Sequence, residues 1–211
     1  MKSRRSIIAL LTDFGTRDPY VGAMKGVITS RSSAEVLDLS HEIAPFDPFE
    51  AGWFLRLAGP AFLPEAGFIE RVVIVAVVDP GVGSSRRILA ALDRGCFYLA
   101  PDNGLLNIAL SSRATFVSVE NERLFLPQGS TTFHGRDRFA PVAAALAEGM
   151  VGIDDLGSPV ERSEIEALDY HEPIANSSGV TGTVIAIDRF GNIITDIEAP
   201  EGDREISVRL G

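Results

Sequence analysis

The sequence predicts an α/β protein: an N-terminal domain with a mostly parallel sheet flanked by helices, then a small, truncated C-terminal all-β domain. Three observations carry that expectation. Residues 72–78 (VVIVAVV) are an almost unbroken β-branched run, the pattern of a strand buried on both faces in the middle of a parallel sheet. Residues 6–11 (SIIALL) repeat it and lead through an acidic turn into helical periodicity, the opening of a parallel α/β unit. Beyond residue 176 only strand-like runs remain.

The elements follow in order. The first strand, 6–11, ends at Thr12-Asp13-Phe14-Gly15-Thr16. Asp18 is expected to cap a helix with Pro19 at its first position, and Val21, Met24, Val27 and Ile28 share one helical face. Residues 34–39 form a second strand, followed by Ser40, His41 and Glu42. Asp47-Pro48 repeats the cap and starts a helix to about Ala58, with Trp53 as core. Asp79 stops the central strand, and Pro80, Gly81 and Gly83 make a tight turn. Arg86 and Arg87 follow closely enough for one to fold back onto that carboxylate.

Residues 88–92 and 96–99 read as a hairpin turning at 93–95. Residues 100–106 turn into a short helix, with Asn103 and Gly104 suited to unusual backbone angles. Short strands are expected at 115–120 and 123–126. The polar stretch 130–137 leads into a helix over 138–148, ended by Gly149. Residues 154–172 read as a surface connection. Strand runs at 180–187, 193–197 and 205–210 place the domains at 1–175 and 178–211. The second segment has 34 residues, fewer than the ~40 that usually fold alone. It is expected to lean on the first domain or on another chain, or to lack its C-terminal part.

Composition bounds the function. With 45% hydrophobic and 23% charged residues, the 211-residue chain has the material for one sizeable core. A net charge of -10 argues against non-specific nucleic-acid binding, since phosphates would be repelled. The single cysteine, Cys96, excludes an internal disulfide framework and a cysteine-rich metal site; it reads as a buried, inert thiol. The apolar run at the start stops after five residues at Thr12 and Asp13, too short for a signal peptide. No stretch approaches the ~20 apolar residues of a membrane span, so a cytoplasmic protein without membrane partners is expected.

Asp13 and Asp79 both follow parallel strands, so they should share the rim where open α/β sheets bind ligands. Two readings of that rim are weak. The 12–16 loop looks like the aspartate-nucleophile loop of metal-dependent phosphohydrolases. Gly15 stands where the second carboxylate belongs, although several rim aspartates could still hold Mg²⁺. Gly81-Val82-Gly83 is glycine-rich, but no helix with a third glycine follows, as dinucleotide binding requires. The bland alternatives are a strand cap for Asp79, structural histidines at His41 and His134, and a hairpin turn at 188–192.

Five longer motifs are more specific: LLTDFGTRDPYVGAMKGVI (10–28), VDPGVGSSRR (78–87), APDNGLL (100–106), FHGRDRFAP (133–141) and IDRFGNIITDI (187–197). In that order, across nearly the whole chain, they resemble the S-adenosyl-L-methionine hydroxide adenosyltransferases (SAM hydrolases), relatives of the fluorinating and chlorinating adenosyl halogenases. The resemblance implies attack of water or hydroxide on ribose C5′ of S-adenosyl-L-methionine, giving adenosine and L-methionine without cofactor or metal. It implies a catalytic set of Asp79, Arg86 and His134. The fluorinating relative replaces the Asp and His positions, so this sequence sides with the hydroxide enzymes.

The resemblance further implies that Asp13 holds the ribose hydroxyls and that Asp18 and Tyr20 lie near the methionine moiety. Phe46 falls where the halogenases carry a tryptophan beside the ligand. Asp188 and Asn192 match residues that engage the amino-acid end and the nucleoside. It also implies a homotrimer whose site lies between one subunit's first domain and a neighbour's second. The sequence stops at Gly211, before the family's adenine-contacting strands and loop, which keeps a non-catalytic nucleoside-binding remnant as an alternative.

The chemistry is physically sensible. A sulfonium leaves as a neutral thioether, so no general acid is needed. An in-line nucleophile, a low-polarity pocket and a proton acceptor are. His134, near a helix start, is expected to stay neutral because the positive dipole end disfavours its cation.

Overall fold

The strand that organises the chain is β3 (Ile69–Val77), and it lies third in a seven-stranded sheet. In this computed structural model, residues 5–62, 69–177 and 179–198 are described. The chain divides into two compact units, Met1–Leu168 and Asp169–Gly211. The expected strand at 205–210 and the expected boundary residue Ser178 lie outside the described residues.

The first unit contains β1 (Arg5–Thr12), α1 (Tyr20–Arg31), β2 (Glu35–Ser40), α2 (Pro48–Ala58), β3, β4 (Ile88–Asp93), β5 (Cys96–Pro101), α3 (Leu105–Ala109), β6 (Thr115–Ser118), α4 (Ala140–Ala147) and β7 (Pro159–Val160). The sheet order is β2-β1-β3-β5-β4-β6-β7. β2, β1, β3 and β5 pair in parallel, and β4, β6 and β7 join antiparallel. Because β6 reverses β4, five of the seven strands point the same way.

Alternation explains why the central strands are apolar throughout. Val73, Val75 and Val77 enter one core with Met24 and Ile28 of α1 and Val142 and Leu146 of α4. Val72, Ile74 and Ala76 enter the other with Leu55 of α2 and Leu105 and Leu106 of α3. With helices on both faces, neither side of β3 meets water; each fully buried branched side chain is stabilised by about 2 kcal/mol. Cys96 is buried in the second core, and burial pushes its thiol pKa up to about 11, which makes it unreactive.

Local signals account for most boundaries. Asp47 Oδ1 accepts from the amides of Phe49 and Glu50, both at 3.0 Å, and Pro48 opens α2. Arg94 (φ 50) and Gly95 (φ 80) turn β4 into β5, as a two-residue hairpin with both central angles positive requires. Among the described residues, no helix is long and apolar enough to cross a membrane.

Four expectations are corrected. Asp18 does not cap α1: the helix starts at Tyr20, so Asp18 sits one position too early to reach the free amides. Residues 123–126 are not a strand. A 3-10 turn (Glu122–Leu124) forms instead, and Leu124 and Phe125 pack on the core rather than joining a ladder. The 154–172 connection is more than surface, because β7 extends the sheet and Leu156, Val160 and Ile165 are buried. The run 180–187 breaks in two, between β9 (Gly179–Thr181) and β10 (Val184–Ile187). At the break the Asp196 carboxylate occupies the space a Cβ at Gly182 would need and accepts from the Thr183 amide at 2.7 Å.

Among the described residues, the second unit contains two hairpins, β8 (Ile174–Asn176) with β9, and β10 with β11 (Ile193–Thr195).

Candidate active site

The C-terminal rim of β1 and β3 carries Asp13 and Asp79, as their positions after parallel strands require. The loop after Asp79 is built to return on itself. Ser84 Oγ donates to the Gly81 carbonyl at 2.7 Å and accepts from the Arg86 amide at 3.2 Å. Arg86 then meets Asp79 two-pronged: Nε donates to Oδ1 at 2.6 Å and Nη2 to Oδ2. The pair is nearly water-free, its side chains 10% and 5% exposed. Arg87 turns the other way, to Asp102 at 2.8 Å and the Glu164 carbonyl at 2.6 Å.

His134 arrives from far along the chain. Its Nδ1 lies 3.4 Å from Arg86 Nη2. A guanidinium only donates, so Nδ1 is the acceptor and the neutral ring carries its proton on Nε2. Burial holds the His134 pKa below its ordinary value, and the nearby Arg138 and Arg86 charges push it the same way. Burial and the two arginines therefore favour the neutral ring, as expected. His134 immediately precedes a π-helical turn (Gly135–Phe139), a distortion frequent at functional sites.

Glycine lets the two site loops meet. Gly83 has φ +82, and a Cβ there would lie 2.9 Å from the Thr131 carbonyl. The 130s loop is anchored by the buried Asp137, which accepts from the Ser130 amide and from Arg136 Nε, both at 2.5 Å.

Beside these groups lies a cavity of about 420 Å³, lined by Asp13, Tyr20, Phe46, Asp79, Phe133 and His134 among others. Its volume is in the range of small-molecule sites. Phe14, Tyr20 and Phe133 form an edge-to-face cluster with centroids 5.3–6.1 Å apart. Asp13 Oδ2 accepts from the Phe46 amide at 2.9 Å. Burial raises the Asp13 pKa; that amide opposes the rise and the Asp79 charge adds to it. Phe46, 66% exposed, is held at φ 64, a strained conformation for a bulky residue.

The structure thus brings Asp13, Tyr20, Phe46, Asp79, Arg86 and His134 together. Asp18 is exposed and does not line the cavity. Asp188 and Asn192 belong to the second unit. There the Asp188 carboxylate accepts from the amides of Phe190 and Asn192 and from Asn192 Nδ2, at 2.7–2.9 Å, closing the β10–β11 turn. Sequence reasoning did not single out Phe14, Phe133 or Arg138. Phe14 lies in the 10–28 motif and Phe133 and Arg138 in the 133–141 motif, but no local pattern sets any of the three apart from its neighbours. Among the described residues, no group of three or more His, Cys, Asp or Glu is placed to hold a metal ion.

The SAM hydroxide adenosyltransferase N-terminal domain matches residues 8–157. The chain belongs to the SAM hydroxide adenosyltransferase family. Asp13, Asp79, Arg86 and His134 all fall within the matched span. Among family relatives, an (R)-S-adenosyl-L-methionine hydrolase from Thermus thermophilus is 41% identical, covering 92% of this chain and 76% of the relative. One from Methanocaldococcus jannaschii is 37% identical, covering 92% and 68%. A fluorinase from an Actinoplanes species is 28% identical, covering 90% and 71%. The fold agrees with the crystal structure of an uncharacterized conserved protein from Thermotoga maritima, with a TM-score of 0.80 and 36% identity over 90% of this chain and 71% of that one.

Proposed function

We propose that this protein hydrolyses S-adenosyl-L-methionine to adenosine and L-methionine, with Asp79, Arg86 and His134 handling the attacking water. The observation that carries the reading is the unbroken contact from Asp79 through Arg86 to His134 at the edge of an aromatic-lined cavity.

A water held there attacks ribose C5′. The O–C5′ bond forms as the C5′–S bond breaks, and the electron pair goes to sulfur, leaving neutral methionine. The water's proton goes to His134, the neutral acceptor of the three. Its Nδ1 lies 3.4 Å from Arg86 Nη2, a long contact that the attacking water would replace. Arg86 takes two of the four lone-pair sites on Asp79, which leaves the carboxylate able to accept from the same water. Asp13 offers its second oxygen to the ribose hydroxyls, and Phe46 and Tyr20 wall the nucleoside and the sulfonium. Asp18, Asp188 and Asn192 are read as contacts to the methionine and nucleoside ends on resemblance alone. The reaction as written needs no cofactor or metal.

We read the assembly as a cytoplasmic homotrimer in which a neighbour's second unit completes each site. The resemblance supports this, as do apolar side chains open to solvent, Phe46 at 66% and Phe190 at 83%. The test is incubation with S-adenosyl-L-methionine with and without EDTA, followed by chromatography. Equal amounts of adenosine and methionine, unaffected by EDTA, are expected. Adenosine binding without turnover would favour a remnant, and EDTA-sensitive cleavage of phosphate esters would favour a phosphohydrolase.

A further inference from the structure

The sequence reads His41 as structural, yet it is buried and wired to both flanks of Asp13. Its Nδ1 lies 2.8 Å from Thr12 Oγ1. Thr12 Oγ1 accepts from the Phe14 amide at 3.2 Å. The His41 carbonyl accepts from the Gly15 amide at 2.7 Å. On its far side, Nε2 lies 3.0 Å from Asp38 Oδ1, off the ideal hydrogen-bond direction. Asp38 is itself held by Lys25 at 2.6 Å. Burial would raise the Asp38 pKa, but the contacts from Lys25 and His41 bring it below its ordinary value.

These contacts select one tautomer. A carboxylate facing Nε2 keeps the proton on that nitrogen, because two lone pairs would repel. In the neutral ring Nδ1 then accepts, so the Thr12 hydroxyl donates to His41 and its oxygen accepts from the Phe14 amide. Thr12 is fully buried and His41 is 5% exposed, so water cannot substitute for either partner. The residues before and after Asp13 are tied to one imidazole residue, by its ring on one side and its backbone on the other.

We infer that His41 is a positioning residue: through Thr12 and the Gly15 amide it fixes the loop that aims Asp13 into the cavity. The inference rests on the reading of Asp13 as the ribose-binding carboxylate. It makes His41 matter for binding the nucleoside, not for handling the water.

The test combines adenosine calorimetry with amide exchange. His41→Leu should weaken adenosine binding about tenfold, the worth of one well-placed buried hydrogen bond. In the Asp13→Ala background the same change should add about nothing, because groups acting through one another are not additive. His41→Asn, whose side-chain oxygen can take the Thr12 hydrogen in place of Nδ1, should recover most of the affinity. Thr12→Val should mimic His41→Leu, and it keeps the question open to measurement if the leucine variant folds poorly. Phe14 and Gly15 amides should exchange faster in His41→Leu. Wild-type affinity in His41→Leu, an equal loss in the Asp13→Ala background, or unchanged exchange would overturn the inference. If Asp13→Ala alone binds adenosine normally, the ribose reading fails instead, and the exchange rates still decide whether His41 holds the loop.

Discussion

Arg86 touches both other members of the site, and its fork geometry is what allows it. Nε and Nη2 face Asp79, Nη2 also faces His134, and Nη1 donates to the Arg87 carbonyl at 2.9 Å. The partnership with Asp79 was legible, because the two residues share one motif and a turn between them was written in glycine and serine. His134 lies 48 positions from Arg86; only resemblance singled it out, since no local pattern encodes that distance in space. Its charge state yields a prediction. The neutral ring is the active form, and its pKa lies below the ordinary 6.5. The value of kcat/KM should therefore hold as pH falls through 6.5 and drop only below that, at the lowered pKa. Arg138→Gln removes a charge that depresses it, so the acid limb should move to higher pH. Folding stability has the matching sign. The unfolded chain takes up this proton first, so the contribution is full above 6.5 and is lost as pH falls toward the folded pKa. His134→Ala should lower turnover about a hundredfold or more while adenosine affinity, by calorimetry, stays nearly unchanged.

At the scale of elements, the site depends on two loops pressed together. The loop after β3 carries Asp79 and Arg86, and the loop before α4 carries His134; Gly83 is where their backbones close. Gly83→Ala would force a left-handed alanine against the Thr131 carbonyl. It should destabilise the protein by about 2 kcal/mol in denaturant titration and lower turnover more than tenfold, because the His134 loop must shift. Turnover at the wild-type level would show that the loops do not need this contact. Apolar runs and caps predicted the elements well where a partner strand or free amides were waiting, as at β3 and Asp47. They failed where none was. The run at 123–126 found no ladder and packed on the core, and Asp18 fell outside capping reach. Pairing is a tertiary property, and a four-residue window does not contain it.

For the whole molecule, the two-core sheet was legible because both central strands are apolar on both faces. The homotrimer is an expectation that rests on resemblance. If a homotrimer completes each site with a neighbour's second unit, chains carrying Asp79→Asn and chains carrying Asp188→Ala, each inactive alone, should regain activity when unfolded and refolded together. Mixed refolding that restores nothing would count against a shared site. The central claim is that the three gathered side chains deliver solvent to a carbon beside sulfur. A single turnover of S-adenosyl-L-methionine in ¹⁸O-enriched water, read by mass spectrometry, tests it most directly. The account predicts heavy oxygen in the 5′-hydroxyl of adenosine and none in methionine. Adenosine without the label, or no adenosine at all, would contradict it.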